Sequence, residues 1–205
     1  MKLLSIALLS LLLFTPTVQA QTPAALTGLQ VIAERQYAAE TESVIDTTSK
    51  GVFLASARVY LFDDEQAAEP AWDTLVDAES ITADLGDDAD DKLIRDELET
   101  MGDRGVALSV SIELDAGATA EYRSVMTQRG AMIVTVTVIA GSADAAKIAD
   151  DIAAAMIDRE PGTSPSVYDG YGASTGGVWD VFLPQDAEEL TGLTAYLDKE
   201  TRPGS

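Results

Sequence analysis

The fold is decided by Val106-Ala-Leu-Ser-Val-Ser-Ile-Glu-Leu114, the stretch from Ala120 to Thr127, and Met132-Ile-Val-Thr-Val-Thr-Val-Ile139. The first segment alternates apolar with small or polar residues, and this period of two indicates a strand with one buried face. Turn-forming residues separate the three segments, at Asp115-Ala-Gly117 and at Gln128-Arg-Gly130. Because short connections of this kind join neighbouring strands running in opposite directions, the stretch predicts an antiparallel meander.

Outward from the meander, the sequence predicts one more strand and two helices. The run from Val52 to Phe62 is rich in aromatic and branched residues, which is typical of a largely buried strand. Asp64 follows as a candidate N-cap for a helix, and Ser142 is the candidate N-cap of a second helix after the meander. Helical spacing of apolar residues supports both helices, at Ala68, Ala71, Trp72, Leu75, Val76 and Ala78 in the first and at Ala145, Ile148, Ile152, Ala155 and Met156 in the second.

Other segments carry weaker signals. Gly28 to Ala33 predicts a short strand, and the residues from Glu34 to Glu42 either extend it or turn helical. An amphipathic surface helix is expected from Asp90 to Met101, and a last helix from Asp186 to Leu197 after a strand from Val178 to Leu183. Together these elements predict an α+β fold, with a mainly antiparallel sheet and helices packed on one face of it.

The N-terminus has the organisation of a secretory signal peptide. Lys2 precedes an apolar run from Leu3 to Phe14, and Val18-Gln-Ala20 provides the small residues that signal peptidase recognises. We therefore expect residues 1–20 to be removed and the mature protein, 21–205, to form one domain that is secreted or periplasmic. Its stretch 161–177 is rich in Gly, Pro, Ser and Thr, which predicts a flexible loop.

Composition excludes several classes of partner and chemistry. The chain has 13 basic and 35 acidic side chains and a net charge of −22, which disfavours nucleic acid and, after signal cleavage, anionic membrane surfaces. It contains no His and no Cys, so disulfides, Ser-His-Asp triads, thiol nucleophiles and the usual zinc and haem ligands are excluded. We expect no cofactor, with Ca²⁺ as the one ion that the composition leaves open.

A cluster of aspartates raises that possibility. Hard cations prefer grouped carboxylate oxygens, and the segment from Asp84 to Asp91 offers five. The segment does not follow the EF-hand pattern, because it lacks the central Gly and the closing Glu of that loop. A solvated acidic turn is the alternative interpretation. The candidate metal ligands are Asp84, Asp87, Asp88, Asp90 and Asp91.

Three aromatic residues are the candidates for contact with a ligand or partner. Tyr168 and Tyr171 lie in the predicted loop, and Trp179 follows it. Aromatic side chains on a loop are common in binding sites, although Trp179 also fits a place in the core. The segment from Gly170 to Gly176 does not have the spacing of a dinucleotide-binding loop.

The chain resembles exported bacterial sensor-like and lipoprotein-like domains over about half of its mature length. The resemblance is carried by Gly102-Asp-Arg-Gly-Val-Ala-Leu108, by Gln128-Arg-Gly-Ala-Met-Ile-Val-Thr-Val-Thr-Val138, and by the helix from Ala143. It implies a Gly-Asp step that opens a strand, an Arg-Gly hairpin, a Val-rich strand and a helix, in domains some of which bind ligands outside the cell. It implies no functional residue, and this chain lacks the disulfides and membrane anchor of several such domains.

These observations favour a secreted or periplasmic, non-enzymatic module that binds an unidentified ligand or protein. An extracellular hydrolase that uses paired carboxylates is one alternative, because that chemistry needs neither imidazole nor thiol. The second alternative is an acidic structural protein that binds divalent cations.

Overall fold

The computed structural model describes residues 28–38, 51–76, 93–113, 119–158 and 187–201. Seven strands form one sheet in the order β3-β4-β5-β6-β2-β1-β7, and every neighbouring pair is antiparallel. The mainly antiparallel α+β class is therefore what the chain adopts. The strands are β1 (Leu29–Ala38), β2 (Val52–Phe62), β3 (Ile94–Glu97), β4 (Arg104–Glu113), β5 (Thr119–Arg129), β6 (Met132–Ala140) and β7 (Thr194–Thr201).

The meander and the buried strand are confirmed. β2 has the bounds predicted from its apolar run, and it lies between β6 and β1 near the middle of the sheet. β5 and β6 are joined through Gly130, whose φ of 53° lies in the left-handed region where glycine is favoured. β1 continues as a strand to Ala38, so the strand alternative is correct for the part of Glu34 to Glu42 that the structure describes.

Within the described residues four helices accompany the sheet: α1 (Glu65–Leu75), α2 (Ala143–Ala146), α3 (Ile148–Ile157) and α4 (Ala187–Thr191). Both predicted N-caps are confirmed. Asp64 accepts a hydrogen bond from the backbone N–H of Ala67, and Ser142 accepts one from Ala145. Each cap satisfies one of the backbone donors that a helix leaves free in its first turn. Lys147 separates α2 from α3, so the predicted second helix is present in two consecutive parts.

One predicted helix is wrong, and another is correct only in part. Ile94 to Glu97, expected within a surface helix, is β3, an edge strand whose four side chains are exposed and which pairs through its backbone with Val106 to Ser109 of β4. Only residues 187–191 of the expected last helix are helical. Gly192, with φ of 69°, ends α4, and the chain then pairs with β1 as β7. In both places backbone pairing with another strand outweighs the local apolar spacing, which carries no information about such a partner.

Helices cover both faces of the sheet. Ala68, Trp72 and Leu75 of α1 pack with Tyr60 and Phe62 of β2. Ile152, Met156 and other α3 residues pack with Val59 and Leu61 of the same strand. Because successive residues of a strand point to opposite faces, α1 and α3 lie on opposite sides, and packing of the helices on one face is not confirmed. We call these sides the α1 face and the α3 face.

The second helical layer also explains why β4 is buried on both sides. Its alternation predicted one buried face, and Val106 and Leu108 do belong to the core under α1. Ala107, on the other side of the strand, is fully buried in the core under α3. Within the described ranges no helix has the length and apolar character needed to cross a bilayer.

Candidate functional site

A strip of polar residues runs across the α1 face in the middle of the sheet. Cross-strand register places Glu34 beside Arg58, and Arg58 beside Thr135. The next row runs through Gln36, Ser56, Thr137 and Ser124. Opposite residues in neighbouring strands lie within contact distance, so these side chains form one continuous surface over four strands. The polar strip consists of Glu34, Gln36, Ser56, Arg58, Ser124, Thr135 and Thr137.

An ion pair between β1 and β2 lies at one end of the polar strip. Nη2 of Arg58 donates to Oε1 of Glu34 at 2.8 Å, and both side chains are only 14% exposed. Nε2 of Gln36 donates to the same oxygen at 2.6 Å. A largely buried ion pair is often no more stabilising than an apolar pair of similar volume, because both charges lose their water. A large net contribution to stability is therefore not expected from this pair.

Tyr60 follows Arg58 on the same face and is almost completely buried. Burial raises the pKa of its hydroxyl above the ordinary 10.0, and polar interactions with Arg58 and Thr135 only partly offset the rise. Burial acts to lower the pKa of Arg58, but Tyr60 and Glu34 favour the cation and the net shift is upward. Tyr60 therefore keeps its proton near neutral pH, and Arg58 keeps its charge.

Apolar clusters border the polar strip on both sides. Tyr60, Met126 and Ile133 belong to the cluster packed under α1, whereas Tyr122 and Ile139 belong to a second cluster beyond the strip. Pockets for small molecules are commonly apolar with a few polar groups that orient the ligand. The charges of Glu34 and Arg58 offset each other, so the strip offers hydroxyl and amide groups without a net charge. This combination suits hydrogen bonding to an uncharged polar ligand.

The polar residues of the α3 face have a different arrangement. Nε and Nη2 of Arg123 donate to the two carboxylate oxygens of Asp150 at 2.7 and 2.9 Å, and Nη1 donates to Ser109. Nη1 also lies 3.6 Å from the carboxylate of Asp96. The hydrogen bond to Asp150 is the main cause of the raised pKa of Arg123. This fork joins α3 to β5 and is a packing contact between two elements.

Arg104 is a third polar group, at the start of β4 on the α1 face. Its guanidinium carbon lies 4.7 Å from the centre of the Trp72 ring, a cation–π distance. Nε donates to Oε1 of Gln128 at 2.7 Å. Nη2 is buried and has no hydrogen-bond partner among the described residues. A buried donor left in this state costs about 1–3 kcal/mol, and more where the group is charged.

The site residues predicted from sequence lie outside the described residues. This holds for the aromatic candidates Tyr168, Tyr171 and Trp179, for the signal peptide and for the loop 161–177. It holds equally for the acidic segment, whose candidates are Asp84, Asp87, Asp88, Asp90 and Asp91. Within the part of the chain that is described, no three acidic side chains lie close enough together to hold a metal ion.

Sequence reasoning missed the polar strip, although the sequence contains a signal for it. Three of its four strands carry two polar residues separated by one position: Glu34 and Gln36, Ser56 and Arg58, Thr135 and Thr137. Residues at this spacing share one face of a strand. The alignment of the pairs depends on strand register, which the local pattern does not determine.

Comparison of the chain with protein-family models, with curated proteins and with solved structures found no match. Any functional proposal therefore rests on the residues of this chain alone.

Proposed function

We propose that the protein is a secreted or periplasmic, non-enzymatic binding module and that the polar strip is its ligand-binding surface. The observation that carries the proposal is the largely buried ion pair of Glu34 and Arg58, flanked by hydroxyl and amide side chains between two apolar clusters. Charged groups are costly to bury, and in globular proteins such groups concentrate at functional sites. The N-terminal sequence supports export.

Binding is favoured over catalysis by the state of the ionisable groups in the strip. The carboxylate of Glu34 accepts hydrogen bonds from Arg58 and Gln36, which hold it in its charged form. Tyr60 has a raised pKa and is a poor proton donor or acceptor near pH 7. These groups are suited to orienting a ligand by hydrogen bonds. We expect the ligand to be an uncharged, hydroxyl- or amide-bearing molecule such as a sugar or a short peptide.

Export is tested by expressing the full chain in a bacterial host and sequencing the N-terminus of the protein recovered outside the cytoplasm. We expect the sequence to begin at Gln21. Recovery of a cytoplasmic protein that still begins at Met1 would contradict the proposed location.

Binding is tested by thermal unfolding of the purified protein with neutral sugars, short peptides and Ca²⁺. At 100 times its Kd, a ligand stabilises a protein by about 2.7 kcal/mol, which corresponds to about 5 °C or more in Tm for a chain of this size. We expect a neutral ligand to produce such a shift. The double variant Glu34→Gln with Arg58→Met should lose the shift and remain folded.

The matched control is the double variant Asp150→Asn with Arg123→Met, which removes an ion pair of the same kind from the α3 face. It should keep the full ligand response. Equal loss of response in both double variants would contradict the assignment of the strip, and so would a response to Ca²⁺ alone. Product formation from the ligand by the purified protein would contradict the non-enzymatic assignment.

A further inference from the structure

Arg104 is held in a fixed orientation by two neighbouring side chains. The Trp72 ring lies against one face of its guanidinium, and Gln128 accepts from Nε. The Gln128 amide is itself fixed, because its Nε2 donates to the carbonyl oxygen of Gly130 at 3.0 Å. These contacts leave the edge of the guanidinium formed by Nη1 and Nη2 without a hydrogen-bond acceptor among the described residues. The direction of this edge, which includes the buried Nη2, is therefore fixed.

Among the described residues Arg104 has no carboxylate partner, which is notable in so acidic a chain. Acidic side chains outnumber basic ones by 35 to 13, and Arg58, Arg95, Arg123 and Arg129 each lie within 4.0 Å of a carboxylate. No carboxylate in the described part of the chain pairs with Arg104. Even its neighbour Asp103 is engaged elsewhere, since Oδ2 of Asp103 accepts from the backbone N–H of Gly130 at 2.7 Å.

We infer that Arg104 is an oxyanion-binding group, which takes a carboxylate or phosphate through its Nη1–Nη2 edge. The planar fork of a guanidinium matches two oxygens of such an anion, and the resulting charge-assisted hydrogen bonds are stronger than those between neutral groups. Trp72 and Gln128 are positioning residues in this site. Arg104 is not part of the polar strip. The inference of an oxyanion site is therefore independent of the proposed function, and either can be wrong without the other.

The test uses the fluorescence of Trp72 as a local reporter. The chain has two tryptophans, so the substitution Trp179→Phe leaves Trp72 as the single tryptophan, which is excited selectively over tyrosine at the red edge of its absorption. This variant is titrated with sodium acetate, sodium succinate and inorganic phosphate at constant pH and ionic strength, with sodium chloride as the balancing salt. We expect a saturable change in emission with at least one oxyanion and none with chloride. Comparing the carboxylates with phosphate identifies which of the two anion types binds.

Further substitutions in the Trp179→Phe background assign the effect to the guanidinium. Arg104→Met should raise the Kd for the anion at least about tenfold, because it removes hydrogen bonds to a charged group. Arg104→Lys keeps the charge without the fork and should also weaken binding. Arg95→Met removes one charge from the exposed strand β3 and should leave the Kd unchanged. Thermal unfolding of each variant shows that it is folded.

Two outcomes would overturn the inference. One is a Trp72 signal that responds to chloride as strongly as to the oxyanions, which indicates ionic strength alone. The other is an unchanged Kd in a folded Arg104→Met variant, which indicates that the anion binds elsewhere.

Discussion

The two faces of the central sheet have different compositions, although the same strands form both. On the α3 face, β2 and β6 present an uninterrupted aliphatic surface to the helix: Ala55, Ala57, Val59, Leu61, Met132, Val134, Val136, Val138 and Ala140. On the α1 face the same two strands present Ser56, Arg58, Thr135 and Thr137 between separate apolar clusters. The α3 face is built as a core, whereas the α1 face has a polar strip across its centre.

The difference distinguishes a face packed for stability from a face that carries polar groups. Apolar burial contributes about 25 cal/mol per Å², so an uninterrupted aliphatic face with a docked helix supplies most of the stability of such a fold. The opposite face can then carry charged and hydroxyl groups that add little stability. Substitutions on the two faces should therefore have different thermodynamic consequences.

The largest effect is expected on the α3 face. Ile152 of α3 is fully buried against the sheet, and Ile152→Ala removes its packing and leaves a cavity. We expect the free energy of unfolding, measured by urea denaturation, to fall by about 3–4 kcal/mol. The matched change on the α1 face is Thr137→Val, which replaces a hydroxyl by a methyl group and removes the 3.1 Å hydrogen bond to Ser124. That variant should lose about 1 kcal/mol or less.

A Thr137→Val variant that loses as much stability as Ile152→Ala would contradict the proposed difference between the two faces, since the polar strip would then be part of the stabilising core.

The second largest effect is expected at the ion pair of the polar strip. Arg58→Met leaves the carboxylate of Glu34 largely buried without its arginine partner, and we expect a loss of about 3 kcal/mol in the free energy of unfolding. Adding Glu34→Gln removes the remaining charge. The double variant should recover to within about 1 kcal/mol of the original chain, because the pair as a whole contributes little.

Comparing the single variant with the double variant shows whether the ion pair stabilises the sheet. A double variant as unstable as Arg58→Met would show that the pair itself stabilises the sheet, and the argument for a functional role would lose its main support.

Strands and helices were predictable where a local pattern and the final packing agree. The apolar run of β2, the alternation in β4 and the caps Asp64 and Ser142 are local signals, and the structure contains each of these elements. β3 and β7 were mistaken for helices because they exist through backbone pairing with β4 and β1. A charged sequence such as Ile94 to Glu97 gives no local sign of that pairing.

The candidate site was less predictable for a related reason. Each strand shows only a pair of polar residues, and Ser or Thr pairs in a strand are ordinarily interpreted as a solvated face. Their meaning changes when register aligns Glu34 with Arg58 and Thr135, because the aligned groups are largely buried and flanked by apolar clusters. Register and the second layer of helices are long-range properties of the chain, so the polar strip could be recognised only in the assembled sheet.

The smallest effect is expected at high pH and concerns Tyr60 on the α1 face. Burial raises the pKa of Tyr60, so the folded protein holds that proton more tightly than the unfolded chain does. The resulting stability is complete below the ordinary pKa of 10.0 and is lost as pH rises through the folded-state pKa. Relative to Tyr60→Phe, the original chain should lose about 1.4 kcal/mol per pH unit in this interval. At pH 11, tyrosine absorbance at 295 nm should show fewer ionised side chains in the folded protein than in denaturant, where an ordinary tyrosine is about nine-tenths ionised. Equal ionisation of the folded and denatured chains at that pH, or parallel stability curves for the two chains, would mean that Tyr60 is solvated and that the α1 face is open at its centre.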